Sequence, residues 1–149
     1  MAITKSNIYT EGYRIVKDFL NNNLSDPRKR FKKSWIHAST PDVTSKVFEG
    51  YPFLTCKLNV SQQNNSLDIV TAEDLFKIQV IVYSDESTDV DNLSSELFSK
   101  INNKTLTYNL NELKAKVLSS SDIVTTMVNS KKIYSRVFQI TAKIRMANA

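Results

Sequence analysis

Nucleophilic catalysis needs a thiol, hydroxyl or amine with a base in hydrogen-bond reach, and this sequence of 149 residues holds one cysteine, Cys56, and one histidine, His37. A single histidine removes most catalytic and metal arrangements, which require a pair. Cys56 alternates with Leu54, Leu58 and Val60, so it reads as a small buried core residue, free cysteine being among the most often buried residue types. His37 lies in a stretch without periodicity and reads as an ordinary polar residue. Carboxylates cluster at Asp85, Glu86, Asp89 and Asp91, a set of oxygens that suits a hard cation. The glycine and closing glutamate of an EF-hand are missing, however, and acidic residues just ahead of a helical pattern favour the helix N-terminus through its dipole. The two glycines, Gly12 and Gly50, stand too far apart to build a glycine-rich phosphate loop. The expectation is a protein that is not an enzyme and has no catalytic residue, metal or cofactor.

The strongest local signal is the run Arg28, Lys29, Arg30, Phe31, Lys32 and Lys33, followed by Trp35. Clustered cations suit phosphates, and interleaved aromatics can stack on exposed bases. A solvated loop and a contact with an acidic protein surface fit the same residues. The formal net charge is +5, and without the five cations of this run fifteen basic residues face fifteen acidic ones. The excess is therefore one local patch on a neutral body. With one cysteine, no internal disulfide forms, and the chain is expected to be intracellular or assembled there. No apolar run is long enough to span a membrane and no signal core follows Met1, so a soluble protein without membrane contact is expected.

The elements that must position these residues follow from periodicity. Ile8, Gly12, Ile15, Val16, Phe19, Leu20 and Leu24 recur at helical steps from Ser6 to Leu24, with Ser6 as a candidate N-cap. Gly12 costs such a helix about 1 kcal/mol relative to Ala and suggests a close neighbour. From Ser25 to Tyr51 no period persists, which predicts a long, partly ordered loop, with Trp35 and Ile36 docking part of it. Pro52–Ser61 and Leu75–Tyr83 alternate as strands joined by a polar reversal from Gln62 to Asp68. Val90, Leu93, Leu97, Phe98 and Ile101 predict a second helix ending near Asn102, with Thr88 and Asp91 spaced like a capping box. Asn109–Val117 reads as a short helical turn. Leu118–Asn129 reads as a strand with a serine-rich bend at Ser119–Ser121, and Asn129, Ser130 and Lys131 turn into the final strand, Lys131–Met146. The expected fold is a single α+β domain over residues 1–149, with order α-β-β-α-β-β: an antiparallel four-stranded sheet with helices packed on one face.

In the final strand, Tyr134, Phe138, Ile140, Ala142, Ile144 and Met146 alternate with Ser135, Gln139, Thr141, Lys143 and Arg145, and Arg136 is the one charge on the apolar side. Its fifteen intervals approach about 50 Å, two to three times the usual strand. The part near Lys131 or Met146 is therefore expected to run past the sheet and pair or pack against a neighbour.

The chain resembles the tail-terminator and tail-completion proteins of tailed phages. The resemblance rests on Lys33-Ser34-Trp35-Ile36 leading to Gly50-Tyr51-Pro52-Phe53, and on the hairpin from Ile123 through Phe138 to Arg145. It implies a structural virion protein of the tail or neck, assembled in the host cytoplasm. It also implies a ring, expected to be hexameric, that caps the tail tube and presents a docking surface to the head connector. The partners it implies are the chain itself, the tail-tube protein and the head-tail connector protein. No family motif fixes individual contacts; the loop and the final strand nominate Arg28, Lys29, Arg30, Lys32, Lys33, Trp35, Tyr51, Arg136, Lys143 and Arg145 for subunit or partner interaction. The competing reading is a small nucleic-acid-binding module using the basic loop 28–33.

Overall fold

The computed structural model describes residues 8–29, 35–46, 48, 50–62, 73–102, 104–108 and 111–145. Two helices, α1 (Ile8–Asn23) and α2 (Ser87–Ile101), accompany seven strands: β1 (Ile36–His37), β2 (Phe53–Gln62), β3 (Glu73–Ser84), β4 (Lys104–Tyr108), β5 (Asn111–Ser120), β6 (Val124–Val128) and β7 (Lys131–Arg145). All belong to one sheet ordered β1-β2-β3-β7-β5-β4, with β6 beside β7. Among the described residues only the β1–β2 pairing is parallel.

This overturns the expected four-stranded antiparallel sheet and its α-β-β-α-β-β order. Four local misreadings produce the difference, the first being that residues 104–108, where no element is expected, form β4 beside β5. Asn109–Val117 shows Leu110, Leu113 and Val117 at helical spacing, yet residues 111–120 form β5, paired along β7 from Leu113↔Ile144 to Ser120↔Phe138. Pairing with a long strand overrides a weak local preference. Ile36 and His37, inside the expected loop, join the sheet opposite Leu54 and Thr55. The run Leu118–Asn129 is not one strand, because β5 stops at Ser120 and β6 begins at Val124.

The break between β5 and β6 is bridged by one residue. Ser121 N–H donates to the Val137 carbonyl at 2.9 Å, while Val137 N–H donates to Ser121 Oγ at 3.0 Å. β7 thus keeps its hydrogen bonding across the interruption, and β5 and β6 lie in succession along the same edge of it. The β6–β7 turn is carried by Asn129 and Ser130, with φ of 50° and 64°. Positive φ at both central residues is the hairpin turn whose twist matches its strands. The periodicities of β2, β3 and β7 are reproduced within two residues of the expected ends, and the reversal between β2 and β3 lies outside the described residues.

Register places one row of apolar side chains behind another on a single face: Cys56, Val80 and Phe138; Leu58, Ile78, Ile140 and Val117; Phe76, Ala142 and Ala115. Helix α1 lays Ile15, Val16 and Leu20 on this face, and α2 adds Val90, Leu93, Leu97 and Ile101, all at most 2% exposed. Each such side chain contributes about 1.5–3 kcal/mol when fully buried. Helix α1 touches both β2 and β4, which have three strands between them, so the sheet curves around the helices. The approach is close at Gly12, where an added β-carbon would lie 2.8 Å from the Phe76 ring and 2.9 Å from Leu58 Cδ2. The glycine that weakens the helix is what lets it seat. The expected cap residue Ser6 is outside the described residues. Helix α2 begins after Glu86, with no side-chain cap from Thr88; Ser84 Oγ instead accepts the Glu86 N–H at 3.1 Å.

Candidate functional site

Cys56 and His37 cannot cooperate. His37 pairs with Thr55, one residue before Cys56 along the same strand, and successive residues of a strand point to opposite faces. Cys56 is 1% exposed in the helix-covered core, and burial pushes its thiol up to about 12, whereas His37 lies edge-on to Phe53 with ring centroids 5.8 Å apart.

The acidic turn is occupied by the chain's own cations. Lys131 Nζ lies 2.7 Å from Asp85 and Arg136 3.2 Å from Asp91, and Ser84 Oγ donates to Asp89 at 3.3 Å. Partial burial pushes the Asp85 carboxyl up, but the hydrogen bond and charge of Lys131, with a further contribution from Arg28, hold it below its ordinary value. Among the described residues no group of three His, Cys, Asp or Glu side chains is placed to hold a metal.

Beside this turn lies a second apolar cluster on the opposite face of the sheet. Tyr51, Phe53 and Ile133 are buried there against Val43, Phe48, Tyr83 and Val128. Phe53 stacks on Tyr83 at 4.8 Å and on Tyr51 at 5.5 Å, and Phe48 closes on both Tyr51 and Phe53 edge-on. Lys131 Nζ sits 5.8 Å over the Tyr51 ring. Burial raises the Tyr51 hydroxyl's pKa, with Asp85 adding to it and Lys131 opposing. Val43, Phe48 and Tyr51 thus clamp one end of the sheet, and Ile133 is an apolar residue on what alternation alone assigns to the wet side of β7.

The nominated contact residues separate accordingly. Trp35 is 1% exposed within the main core, its carbonyl accepting the Leu54 N–H at 2.8 Å. Tyr51 belongs to the aromatic clamp. Arg28 faces Gly50, where an added β-carbon would meet its guanidinium at 2.5 Å; Gly50 also has φ +89°, so a side chain there meets both strain and collision. Lys29 is exposed with φ 51°. Arg136 is tied to Asp91 and donates to the Ser121 carbonyl at 3.2 Å. Lys143 and Arg145 stand on β7 opposite Leu75 and Glu73 of β3. Arg30, Lys32 and Lys33 lie outside the described residues.

Two surfaces went unnoticed in the sequence. The first is the outer edge of β6: among the described residues no strand pairs with it, and Val124 and Met127 are 50% and 62% exposed. Leu118, at the bulge of β5 just before it, is 67% exposed. The second is the face of the sheet away from the helices. The register row Asn59, Lys77, Thr141 and Lys116 and the row Lys57, Gln79, Gln139 and Ser119 run across it. Its lysines sit at ordinary polar positions of their strands, and only the pairing reveals that they share a surface.

Among the described residues no helix is long and apolar enough to cross a membrane. No family model and no curated protein matches this chain. Solved structures do match its shape. One is a chain described as the virion of native gene transfer agent (GTA) particle, at 10% sequence identity and a TM-score of 0.53, covering 76% of this chain and 80% of that one. What the two share is a fold.

Proposed function

We propose that this chain is a structural subunit of a virion that works by assembly and not by catalysis. The observation that carries the reading is the fold held in common with a chain of the gene transfer agent virion over 76% of the present chain. The finer reading follows the resemblance to tail terminators: copies close into a ring, hexameric in that family, which caps the tail tube and offers a docking surface to the head connector.

The support within the molecule is the β6 edge. An open edge strand is a template for another chain, and proteins that must stay monomeric blunt such edges with charge, proline or bulges. β6 reads Val124-Thr125-Thr126-Met127-Val128, with none of the three. A neighbouring copy that adds a strand there gains backbone hydrogen bonds and covers Val124 and Met127.

Light scattering of the purified protein tests both levels. A hexamer, or a monomer that forms rings when tail tubes are supplied, is expected. The double substitution Val124→Lys and Met127→Lys leaves the fold intact and abolishes the ring. A monomer indifferent to tubes, or a ring untouched by the double substitution, removes the ring reading or the β6 assignment respectively.

A further inference from the structure

We infer that the helix-free face of the sheet is a docking surface for duplex nucleic acid, held through its phosphates and without sequence preference. This goes beyond the assembly reading and does not depend on the basic loop 28–33. Lys57, Lys77, Lys114 and Lys116 are all exposed on that face, and no ion pair joins any of them to a described carboxylate. The register brings them together: Lys77 and Lys116 flank Thr141 in one row, Lys57 stands in the next, and Lys114 opposes Lys143. The described side chains on this face of β2, β3, β5 and β7 are cationic or uncharged; register places Glu73, and alternation Glu112, at its far end with Arg145, beyond the row of Lys114 and Lys143.

Strands about 4.8 Å apart and residues about 3.3 Å apart along each put the four lysines in a patch on the order of 15 Å across. A duplex carries one charge per about 1.7 Å of its axis, so a patch of that width faces several phosphates at once. Uncharged donors stand among the lysines: Gln79, Gln139 and Thr141, with Ser119 at the β5 end and Asn59 at the β2 end, where Tyr9 of α1 donates to its Oδ1. Such groups share phosphate contacts with Lys in nucleic-acid interfaces.

The chemistry disfavours the other occupants. Protein interfaces are depleted in Lys and anchored by aromatic residues, Met or Arg, none of which lies in these rows. Single strands are held by stacking on exposed aromatics; on this face Phe53 is buried and Tyr83 packs against it within the clamp. A second copy offers its acidic turn, but Asp85 and Asp91 already have partners within their own chain.

The test is fluorescence anisotropy with a labelled 20-base-pair duplex in two unrelated sequences, titrated with the full chain between 50 and 200 mM salt. Four phosphate contacts give a log–log salt slope of about −3.6, equivalent to a loss of about 150-fold in affinity across that range, the same for both sequences. Replacing Lys57, Lys77, Lys114 and Lys116 together by Glu is expected to abolish binding while the circular dichroism spectrum and melting temperature stay in place; Lys29→Glu is expected to retain it. The inference is overturned if the wild-type protein does not bind at 50 mM salt, if the quadruple variant binds as well as wild type, or if Lys29→Glu alone abolishes binding. It is equally overturned if a single strand or poly-glutamate of matched charge binds as tightly as the duplex. Ring formation is read separately by light scattering, so failure here leaves the assembly reading standing.

Discussion

Two neighbouring register rows of the same four strands, Leu58–Ile78–Ile140–Val117 and Asn59–Lys77–Thr141–Lys116, are one residue apart in sequence and belong to different environments. The first lies under α1 and α2 in the main core. The second contains exposed Asn59, Lys77 and Lys116. The difference teaches that, away from the aromatic clamp around Phe53 and Ile133, this sheet divides labour by face: the helix-covered side carries stability, and the other side is free to carry charge that the fold does not need. If that division is right, adjacent substitutions along one strand have effects of very different size.

Phe76 and Lys77 give the largest contrast. Phe76 is fully buried and packs against Gly12 of α1, so Phe76→Ala is expected to cost about 3–5 kcal/mol. Lys77→Ala is expected to change stability by less than about 0.5 kcal/mol. Urea denaturation of the two variants measures both, and comparable losses would mean that the bare face is structural after all.

Gly12 tests the covered side from the helix. In an open helix Gly→Ala gains about 1 kcal/mol. Here the new methyl would meet the buried Phe76 ring at 2.8 Å and Leu58 at 2.9 Å, and overpacking a full core costs about 1–3 kcal/mol. Gly12→Ala is therefore expected to be destabilising, by up to about 2 kcal/mol. A rise in melting temperature would show that the helix rides higher on the sheet than these distances imply.

How much of this was legible in the sequence follows the same division. Alternation in β2, β3 and β7 and the helical spacing of Leu20 or Leu97 assign core faces correctly, because burial of one face is a local property of a periodic segment. Gly12 signalled a close approach for the same reason. Lys114 and Lys116 could not be placed with Lys57 and Lys77, since residues 109–117 carry a helical spacing of leucines that only pairing with β7 overrides. Ile133 and Tyr51 were missed as partners because their contact depends on where a non-periodic segment folds back. The long alternation of β7 misleads at its Lys131 end: that end does not run past the sheet to a neighbour, because residues 131–133 pair with β6 of the same chain and Ile133 is buried there, and Met146 lies outside the described residues.

Cys56 reports on the covered face without altering it. With its thiol pushed up to about 12 by burial, it stays protonated in the native state at neutral and mildly alkaline pH. A thiol-specific reagent at pH 8 is expected to leave Cys56 unmodified in folded protein and to label it fully in denaturant. Because the folded value lies above the unfolded one, the neutral thiol's contribution to stability is complete below about pH 8.5 and is lost as the pH rises toward 12. Cys56→Ala is expected to flatten that alkaline decline. Rapid labelling of the native protein would show that the core at Cys56 opens to solvent.

The smallest effect expected is at the acidic turn, where the sheet's two faces are tied together. Asp85 has its carboxyl held low by Lys131, against the opposing push of partial burial. A depressed folded value means that the pair's contribution is present above the unfolded aspartate range, near pH 4, and disappears as the pH falls through the folded value. Lys131 is 58% exposed, so solvent screening keeps the pair at about 1 kcal/mol or less. Asp85→Asn is therefore expected to lower neutral-pH stability slightly and to reduce the slope of stability against pH between about 5 and 2. The tether matters more than its energy suggests, because Lys131 also covers Tyr51 and starts the strand that pairs with β6. Loosening it should raise amide exchange in residues 43–51 and 124–133 before it moves the melting temperature. Exchange that stays unchanged in both segments would place the clamp's rigidity in the Phe48, Tyr51, Phe53 and Tyr83 rings alone, and would free the acidic turn from any part in presenting the β6 edge.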